Sequence, residues 1–511
     1  MRPIQSTRRR FLQAVGATAA ALNLPSIEAA EASNAIVVDP KPRFALSPYL
    51  YMQFMEPLGT TDGSVAAAWD FGRDCWREDV IDVTRRLAPS MMRWGGCFSS
   101  YYRWKEAVGP RDKRIPMLNM CWGGLDSSQV GTVEFVDFCQ QVEADPLMCV
   151  NFESDGRTYW QKDPKGSVRS AEPEEAAAWV RYCNDPDDRL RRSHGIDRPC
   201  TMRWWQIGNE TSYDRNGYDC ETAAQRTIAF AKAMRQADPN LTLIGWGDSG
   251  WAKRMLEIAG EHLQYIAFHH MFNPDQGQAD SPLRDTEYRK DPARTWEHLM
   301  NAHKVHEARI RWMREQVGDD PTPLALTECH FALPGRNRCE VLSSWAAGVA
   351  NARLLNVHER HGDRLKIATL ADFCGTRWQV NAIMIPVPGG QSFMMPVARV
   401  MSLYRHHSGD QAVDVTRTPD GLDITASRCA DKLFLHVVNT NRRQAVSTQI
   451  AVGEMQIVSG RIFELTGDPE HEIIRAEPNG VTLSEKALPQ DGRWSFPAAS
   501  VSAVELDVQT A

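Results

Sequence analysis

Eight short apolar runs alternate with amphipathic segments, and this alternation constrains the fold more than any other feature of the chain. The predicted strands cover residues 49–54, 90–94, 147–152, 202–207, 241–246, 264–268, 323–326 and 365–370. The segments between them show helical spacing of apolar residues, as Ala229, Phe230 and Met234 do after the fourth strand. Such strand–helix units predict an α/β fold, a (β/α)₈ TIM barrel, with a doubly wound open sheet as the alternative.

The hydrophobic pattern changes after residue 403, where short alternating runs are separated by turn residues. Residues 433–438 and 501–506 alternate in this way, and Pro419-Asp420-Gly421 is a turn signal. We therefore expect a catalytic barrel over residues 45–403 and a C-terminal all-β sandwich over residues 404–511. Residues 34–44, which precede the first barrel strand, are a candidate addition to the sandwich.

The first 32 residues carry an export pattern. Residues 7–13 (TRRRFLQ) are similar to the bacterial twin-arginine motif, an alanine-rich run follows to Leu24, and Ala30-Glu31-Ala32 offers a cleavage site. We expect residues 1–32 to be a signal peptide and the mature protein to be periplasmic or secreted, exported by the twin-arginine route. A basic N-terminal tail is the alternative.

Composition excludes several function classes. The chain has 511 residues, a net charge of −7 and no long basic run, which disfavours a nucleic-acid partner. No segment approaches the roughly 20 apolar residues of a membrane-spanning helix, so we expect no membrane insertion. The 12 cysteines are scattered without a C-x-x-C pair, which favours free buried thiols and leaves one or two disulfides open.

The fourth predicted strand ends in an amide and a carboxylic acid, Asn209 and Glu210, directly after an apolar run. Because desolvation disfavours its charged form, a carboxyl beside an apolar wall tends to stay protonated, as a general acid requires. Strand ends of a barrel converge on one mouth, where the seventh strand contributes Glu328 from the opposite side. Two carboxyls about 5 Å apart are typical of a retaining glycosidase. Other polar or aromatic residues at predicted strand ends are Glu56, Arg93, Cys97, Asn151, Glu153, Trp246, Asp248, His269, His270 and Asp372.

An ordered series of motifs resembles clan A of the glycoside hydrolases and, within it, the family 51 α-L-arabinofuranosidases. Trp205-x-x-Gly208-Asn209-Glu210 and Thr327-Glu328 carry the clan likeness. The family likeness lies in residues 53–59 (QFMEPLG), 93–96 (RWGG), 102–104 (YRW), 108–110 (VGP), 175–184 and 380–383 (VNAI).

The resemblance implies a role for each matched residue. Glu210 would be the acid/base and Glu328 the nucleophile. Asn209 would hold the sugar's 2-hydroxyl, Glu56 would bind sugar hydroxyls, and Arg93 would lower the pKa of a neighbouring carboxylate. The remaining candidates for substrate contacts are His269, Trp246 and Gln379.

Several positions depart from the family pattern. Cys97 replaces a sugar-binding Asn, Cys329-His330 replaces Trp-Asn, and no Tyr occurs in residues 269–272. Asp372 or Gln379 stands for a Gln after the eighth strand. The prediction is an exo-acting α-L-arabinofuranosidase for arabinose-containing polysaccharides or oligosaccharides, with a galactofuranosidase, xylosidase or galactosidase as alternatives.

Two other function classes remain to be tested. Residues 245–250 (GWGDSG) match G-x-G-x-x-G, the pattern of a nicotinamide- or flavin-dependent periplasmic redox enzyme. A non-catalytic glycan-binding protein on the same scaffold is the other class. His269, His270 and His330 with Glu328 form a weak metal-site hypothesis, since dense ligand spacing is lacking. We expect a carbohydrate partner, no cofactor and no metal, and a homo-oligomer is a candidate assembly.

Overall fold

A computed structural model of the chain describes residues 34–338, 340–477 and 480–510, and the predicted signal peptide lies outside these ranges. The helices are α1 (Ser64–Ala68), α2 (Glu78–Leu87), α3 (Thr132–Gln141), α4 (Pro173–Asn184), α5 (Arg189–Ser193), α6 (Cys220–Ala237), α7 (Ala252–Ala259), α8 (Pro292–Val317), α9 (Trp345–Arg360) and α10 (Pro396–His406). None of these helices combines the length and apolarity needed to traverse a lipid bilayer.

The strands of the first three-quarters of the chain are β1 (Ala35–Ala45), β2 (Gln53–Met55), β3 (Trp69–Asp70), β4 (Cys75–Trp76), β5 (Met91–Trp94), β6 (Met117–Leu118), β7 (Leu125–Asp126), β8 (Asp145–Val150), β9 (Trp204–Ile207), β10 (Thr242–Trp246), β11 (Tyr265–Phe272), β12 (Leu324–Phe331), β13 (Leu365–Ala368), β14 (Asp372–Gly375), β15 (Asn381–Met384) and β16 (Phe393–Met394). Those that follow are β17 (Gln411–Arg417), β18 (Leu422–Cys429), β19 (Lys432–Asn439), β20 (Val446–Val452), β21 (Met455–Gly467), β22 (Val481–Ala487), β23 (Arg493–Phe496) and β24 (Val501–Thr510).

A parallel sheet closes into a barrel. Its strands pair in the order β13-β12-β11-β10-β9-β8-β5-β2-β14, so each barrel strand lies beside the next one along the chain. Strands β13 and β14 stand at opposite ends of this order but follow each other directly along the chain, so the sheet closes on itself. On one side of the closure Asp372 pairs with Phe54, and on the other Met52 N donates to Ala368 O at 3.0 Å. The α/β prediction is confirmed at this level, as a mixed fold with a closed barrel.

Apolar residues fill the barrel on both sides of its wall. Side chains such as Met91, Leu147 and Ile367 pack inside it and are fully buried. Helix α2 turns Val80 and Leu87 toward the outer side of the wall. Burying one such side chain contributes about 1.5–3 kcal/mol, so the amphipathic pattern itself holds each helix on the barrel.

Two segments differ from their predicted form. Residues 48–51 form a 3₁₀ turn, because Pro48 occupies its first position and the Ser47 side chain accepts a hydrogen bond from Tyr49 N. Strands β11 and β12 continue beyond their predicted ends and stay paired as far as Phe272 and Phe331. His269, His270 and Glu328 therefore lie within strands rather than after them.

Strands β1 and β17–β24 form one curled, nine-stranded sheet in the order β22-β21-β24-β19-β18-β17-β1-β20-β23, with β21 also paired to β20. Strand β1 pairs antiparallel with β17 and parallel with β20, so residues 35–45 belong to this sheet. Asp423 of β18 contacts Arg353 and Arg360 of the barrel helix α9 at 2.8 and 2.7 Å. The 11 cysteines that the structure describes are all free.

Candidate active site

The carboxyl ends of the barrel strands bring together the residues predicted to act on substrate. Arg93 donates from Nη1 to Glu328 Oε1 at 2.7 Å and from Nη2 to Asn209 Oδ1 at 2.6 Å. His269 Nδ1 lies 3.1 Å from Glu210 Oε1 and 3.6 Å from Glu328 Oε2. A carboxyl oxygen of Glu210 and one of Glu328 lie within 4.8 Å of each other. The two acids thus form one buried pair bridged by an imidazole.

The turn after β9 aims Glu210 into this cluster. Gly208 has a φ of +80°, and an added Cβ would come within 2.8 Å of Asp155 Oδ1, so glycine is required there. Asp155 Oδ1 accepts hydrogen bonds from Asn209 N and Thr211 Oγ1 at 3.1 and 2.7 Å. Glu210 itself adopts a φ of +52°. Buried hydrogen bonds therefore hold a backbone conformation that an isolated strand end would not adopt.

Burial governs the electrostatics of both acids. It raises the pKa of Glu210, a rise that the charges of Arg157 and Arg93 oppose. It raises the pKa of Glu328 as well, and there His269 and Arg93 oppose the rise. Only Glu328 of the two carboxyls accepts a hydrogen bond from a guanidinium among the described residues. The charged form is consequently better supported at Glu328 than at Glu210.

His269 is held from three sides. Its Nε2 lies 3.0 Å from Thr327 Oγ1, its backbone N donates to Asp248 Oδ2 at 3.1 Å, and Trp246 packs edge-on against its ring. Burial lowers the pKa of His269 to about 4, so the ring is neutral near pH 7. Trp246 Nε1 donates to Ser212 Oγ at 2.8 Å, which orients the indole behind the imidazole.

Glu56 directly follows strand β2 at the same mouth of the barrel. Its Oε1 accepts a hydrogen bond from Trp122 Nε1 at 2.9 Å. An added Cβ at Gly96 would come within 2.1 Å of Glu56 Cδ, so the missing side chain at that position leaves room for the carboxyl. Burial and the nearby charge of Glu328 raise the pKa of Glu56 well above its ordinary value.

The two candidates after the eighth strand differ in position. Asp372 is buried, its Oδ1 lies 3.4 Å from His330 Nε2, and burial raises its pKa to about 8. Gln379 is half-buried, and its side-chain amide donates to Arg377 O at 3.3 Å. Of the two, Asp372 is the one whose pKa responds to Glu328.

The sequence did not predict several residues that position the carboxyl pair through hydrogen bonds and ion pairs. Asn151 and Glu153, at the predicted end of the third strand, bind the loop backbone and Arg226 instead of the carboxyl pair. The next residues along, Asp155 and Arg157, hold the turn, and Arg157 Nη2 donates to Glu210 O at 2.5 Å. The Asp and Arg at positions 155 and 157, just beyond the predicted strand end, were the available signal. Gln206, Trp122, Tyr213 and Arg309 also support the site, through Arg93, Glu56 and Asp248.

The glycine-rich motif at residues 245–250 and the predicted histidine grouping have other surroundings than a cofactor or metal site requires. Beside Gly245 and Gly247, the side chains of Leu263 and Ile266 fill the space within 2.4 Å of an added Cβ, so these glycines serve strand–helix packing. The grouping of His269, His270 and His330 with Glu328 is not formed: His270 contacts His306 on α8 instead.

Two family models match the chain. The "Alpha-L-arabinofuranosidase 1 domain" matches residues 83–290, and the "Alpha-L-arabinofuranosidase C-terminal domain" matches residues 332–500.

Individual relatives agree with these models. The chain is 31% identical to a probable α-L-arabinofuranosidase C of Aspergillus niger over 40% of each chain, so this match spans less than half of that relative. It is 29% identical to the counterpart from Aspergillus flavus over 91% of this chain and 96% of that protein.

A solved structure supports the fold. The crystal structure of an α-L-arabinofuranosidase from Thermotoga maritima superposes with a TM-score of 0.71, covering 92% of this chain and 99% of that one at 23% identity. The two family models and the relatives from Aspergillus support a glycoside hydrolase similar to the family 51 α-L-arabinofuranosidases.

Proposed function

We propose that the protein is a retaining, exo-acting α-L-arabinofuranosidase that works by double displacement. The observation that carries this proposal is the separation of less than 4.8 Å between carboxyl oxygens of Glu210 and Glu328. Retaining glycosidases hold their two carboxyls about 5–5.5 Å apart, whereas inverting enzymes need about 6.5–9.5 Å to admit a water molecule. The names of the similar proteins supply the sugar, and the resemblance supplies the exo action.

The contacts of the two acids support distinct roles. Glu328, ionised beside Arg93, attacks the anomeric carbon while Glu210 gives its proton to the glycosidic oxygen, which leaves as an alcohol. Water then attacks the glycosyl–enzyme ester, passes a proton to Glu210 and frees Glu328. His269, neutral and in contact with both carboxyls, orients them through the two steps.

Unpaired polar atoms in the pocket support the sugar contacts. Asn209 Nδ2 and Asp372 Oδ1 are buried and make no hydrogen bond among the described residues, although His330 Nε2 lies 3.4 Å from Asp372 Oδ1. A buried polar atom without a partner is costly, and a sugar hydroxyl would satisfy each of them. We assign Asn209 to the 2-hydroxyl and Glu56 and Asp372 to other hydroxyls. We assign Trp246 to support His269 from behind, and the half-buried Gln379 to the outer part of the site.

We also propose the domain architecture and the cellular location of the protein. The pairing order supports a (β/α)₈ TIM barrel over residues 45–403, and the curled sheet supports a C-terminal β-sandwich over residues 404–511 joined by residues 34–44. We further propose that residues 1–32 direct twin-arginine export to the periplasm or medium. Determining the N-terminal residue of the exported protein tests this, and a mature chain that retains Arg8 and Arg9 would oppose it.

A panel of aryl furanosides and pyranosides tests the sugar. We expect hydrolysis of the α-L-arabinofuranoside, with the first-formed sugar retaining its anomeric configuration by NMR. Preferential hydrolysis of a galactofuranoside, xyloside or galactoside would overturn the substrate and keep the mechanism. An inverted product would overturn the mechanism.

Two variants test the catalytic pair directly. Glu210→Gln and Glu328→Gln should each lose most activity, while Glu464→Gln, a matched change at a buried carboxyl in the curled sheet, should keep it. Unchanged turnover in both active-site variants would overturn the two-carboxylate mechanism, whereas a wild type that hydrolyses no aryl glycoside would favour a non-catalytic or redox protein.

A further inference from the structure

A second cluster of reactive side chains lies on the outer side of the barrel wall. His270 and Cys329 are paired neighbours on β11 and β12, each one residue after a member of the carboxyl cluster. Because successive residues of a strand face opposite sides, His270 and Cys329 point away from the pocket that His269 and Glu328 face. Helix α8 contributes His306, and the ligand atoms of the three side chains lie within 4.8 Å of one another.

The spacing of these atoms resembles that of metal ligands. His306 Nδ1 lies 3.0 Å from His270 Nδ1 and 3.9 Å from Cys329 Sγ. In a tetrahedral zinc site with Zn–N near 2.0–2.1 Å and Zn–S near 2.3 Å, neighbouring ligand atoms are about 3.3 Å (N–N) and about 3.6 Å (N–S) apart. The two distances from His306 Nδ1 therefore differ from the zinc geometry by a few tenths of an ångström, and the ligand atoms of His270 and Cys329 lie within 4.8 Å of each other.

The surroundings favour the ligand forms of these side chains. His306 Nε2 lies 2.8 Å from His358 Nε2, so a proton on that nitrogen can be donated outward while Nδ1 presents its lone pair. Metal-binding histidines characteristically use their second nitrogen in this way. Arg309, whose charge lowers the pKa of His270, is paired with Asp248. His270 is only half-buried and provides a path from solvent.

We propose that His270, His306 and Cys329 bind one Zn²⁺ ion or a similar borderline transition-metal ion, with His358 as the outer partner of His306. The ion takes the place of the proton between the two Nδ1 atoms, which moves to a ring Nε2. The Cys329 thiol proton is released, so one proton leaves per ion bound. The site clamps β11, β12 and α8 directly behind the carboxyl pair. This grouping was not among the metal sites that the sequence suggested. The proposal is independent of which sugar the enzyme hydrolyses.

Titration of the metal-free full chain with Co²⁺ tests the site. We expect one equivalent to bind with thiolate-to-cobalt charge-transfer absorption, Zn²⁺ to displace it, and binding to release one proton when titrated calorimetrically in two buffers. Cys329→Ser should abolish the charge-transfer band, while Cys139→Ser, a matched change at an equally buried thiol, should retain it. Changing the outer partner, His358→Asn, should weaken binding about 10–100-fold.

Glu210, His269 and Glu328 are a competing group whose ligand atoms also lie within 4.8 Å. Cobalt bound there would show no thiolate band and would be lost in Glu328→Gln rather than in Cys329→Ser, and that outcome would overturn the proposal. So would a wild-type chain that binds neither Co²⁺ nor Zn²⁺. If Cys329→Ser fails to fold, His270→Asn at the half-buried position replaces it. A melting temperature that Zn²⁺ raises in the wild type but leaves unchanged in that variant would then support the site.

Discussion

Replacing Arg93 by glutamine should move the acid limb of the pH–activity profile to higher pH. Arg93 is fully buried, lies 2.7 Å from Glu328 Oε1, and lowers the pKa of that carboxyl against the effect of burial. Removing the cation favours the protonated form, so the nucleophile ionises only at higher pH. An opposite charge in contact lowers a carboxyl pKa by about 1–3 units, and the limb should shift by that amount.

The shift fixes the size of the kinetic effect at each pH. At a pH below the acid limbs of both the wild type and the variant, activity falls tenfold per pH unit. Arg93→Gln should therefore lose about 10–1000-fold in kcat/KM relative to the wild type in that range. Between these acid limbs and the alkaline limb, only the pH-independent loss from the freed Asn209 should remain, and the alkaline limb should also move upward because Arg93 lowers the pKa of Glu210. The assay is kcat/KM on an aryl α-L-arabinofuranoside over the full range of stability. Arg93→Lys keeps the charge and should shift the limb by much less.

Arg157→Gln is the matched control for this prediction. The charge of Arg157 lowers the pKa of Glu210, and its Nη2 donates to the Glu210 carbonyl. Its loss should therefore move the alkaline limb upward and leave the acid limb in place. If Arg93→Gln, with an unchanged melting temperature at the assay pH, loses activity equally at every pH and the acid limb stays fixed, Arg93 does not act through the ionisation of Glu328.

Three further predictions concern the acid, the pocket and the fold. Glu210→Gln should lower kcat/KM by about 10²–10⁴ for substrates with poor leaving groups and by less for activated aryl glycosides; equal losses across a leaving-group series would assign Glu210 another role. Gly96→Ala should raise KM, because its Cβ would displace Glu56, whereas Gly72→Ala, whose Cβ would meet only Asp70 Oδ1 at 3.4 Å, should not; equal KM values in the two variants would contradict this. Asp423 has its pKa lowered to about 2 beside Arg360 and Arg353 although burial opposes this, so its charge stabilises the fold above pH 3.8 and that stability is lost as the pH falls through 2. Asp423→Asn should cost at least about 2 kcal/mol in urea unfolding at neutral pH, and an unchanged midpoint would refute the linkage.

The sequence alone predicted the strand order and, through it, the pairing of two carboxyls. Parallel strands joined by helices place every carboxyl end at the same mouth, so locating Glu210 and Glu328 at two strand ends was sufficient to bring them together. The apolar periodicity of the helices was equally informative, because it reflects which face each helix must bury. Both inferences use only local pattern and connectivity.

The direction in which a side chain points depends on the tertiary structure. A one-residue irregularity shifts the β11–β12 pairing from Phe268–Leu326 to His269–Glu328, and Thr327 takes up the extra position. That shift places His269 against both carboxyls and turns His270 and Cys329 outward to His306. Strand alternation fixes only relative orientation, and a bulge changes the register between neighbours.

The loop that carries Asp155 and Arg157 also could not be predicted from local sequence. Asp155 and Arg157 reach the turn at Glu210 because the backbone at Glu153, Ser154 and Asp155 adopts positive φ values. None of the three is glycine, so their residue types did not predict that conformation. Local pattern was therefore enough to predict that the carboxyls of Glu210 and Glu328 meet at two strand ends. The register of two strands and the path of one loop select the neighbours that tune this chemistry, because both depend on contacts between residues far apart in the chain.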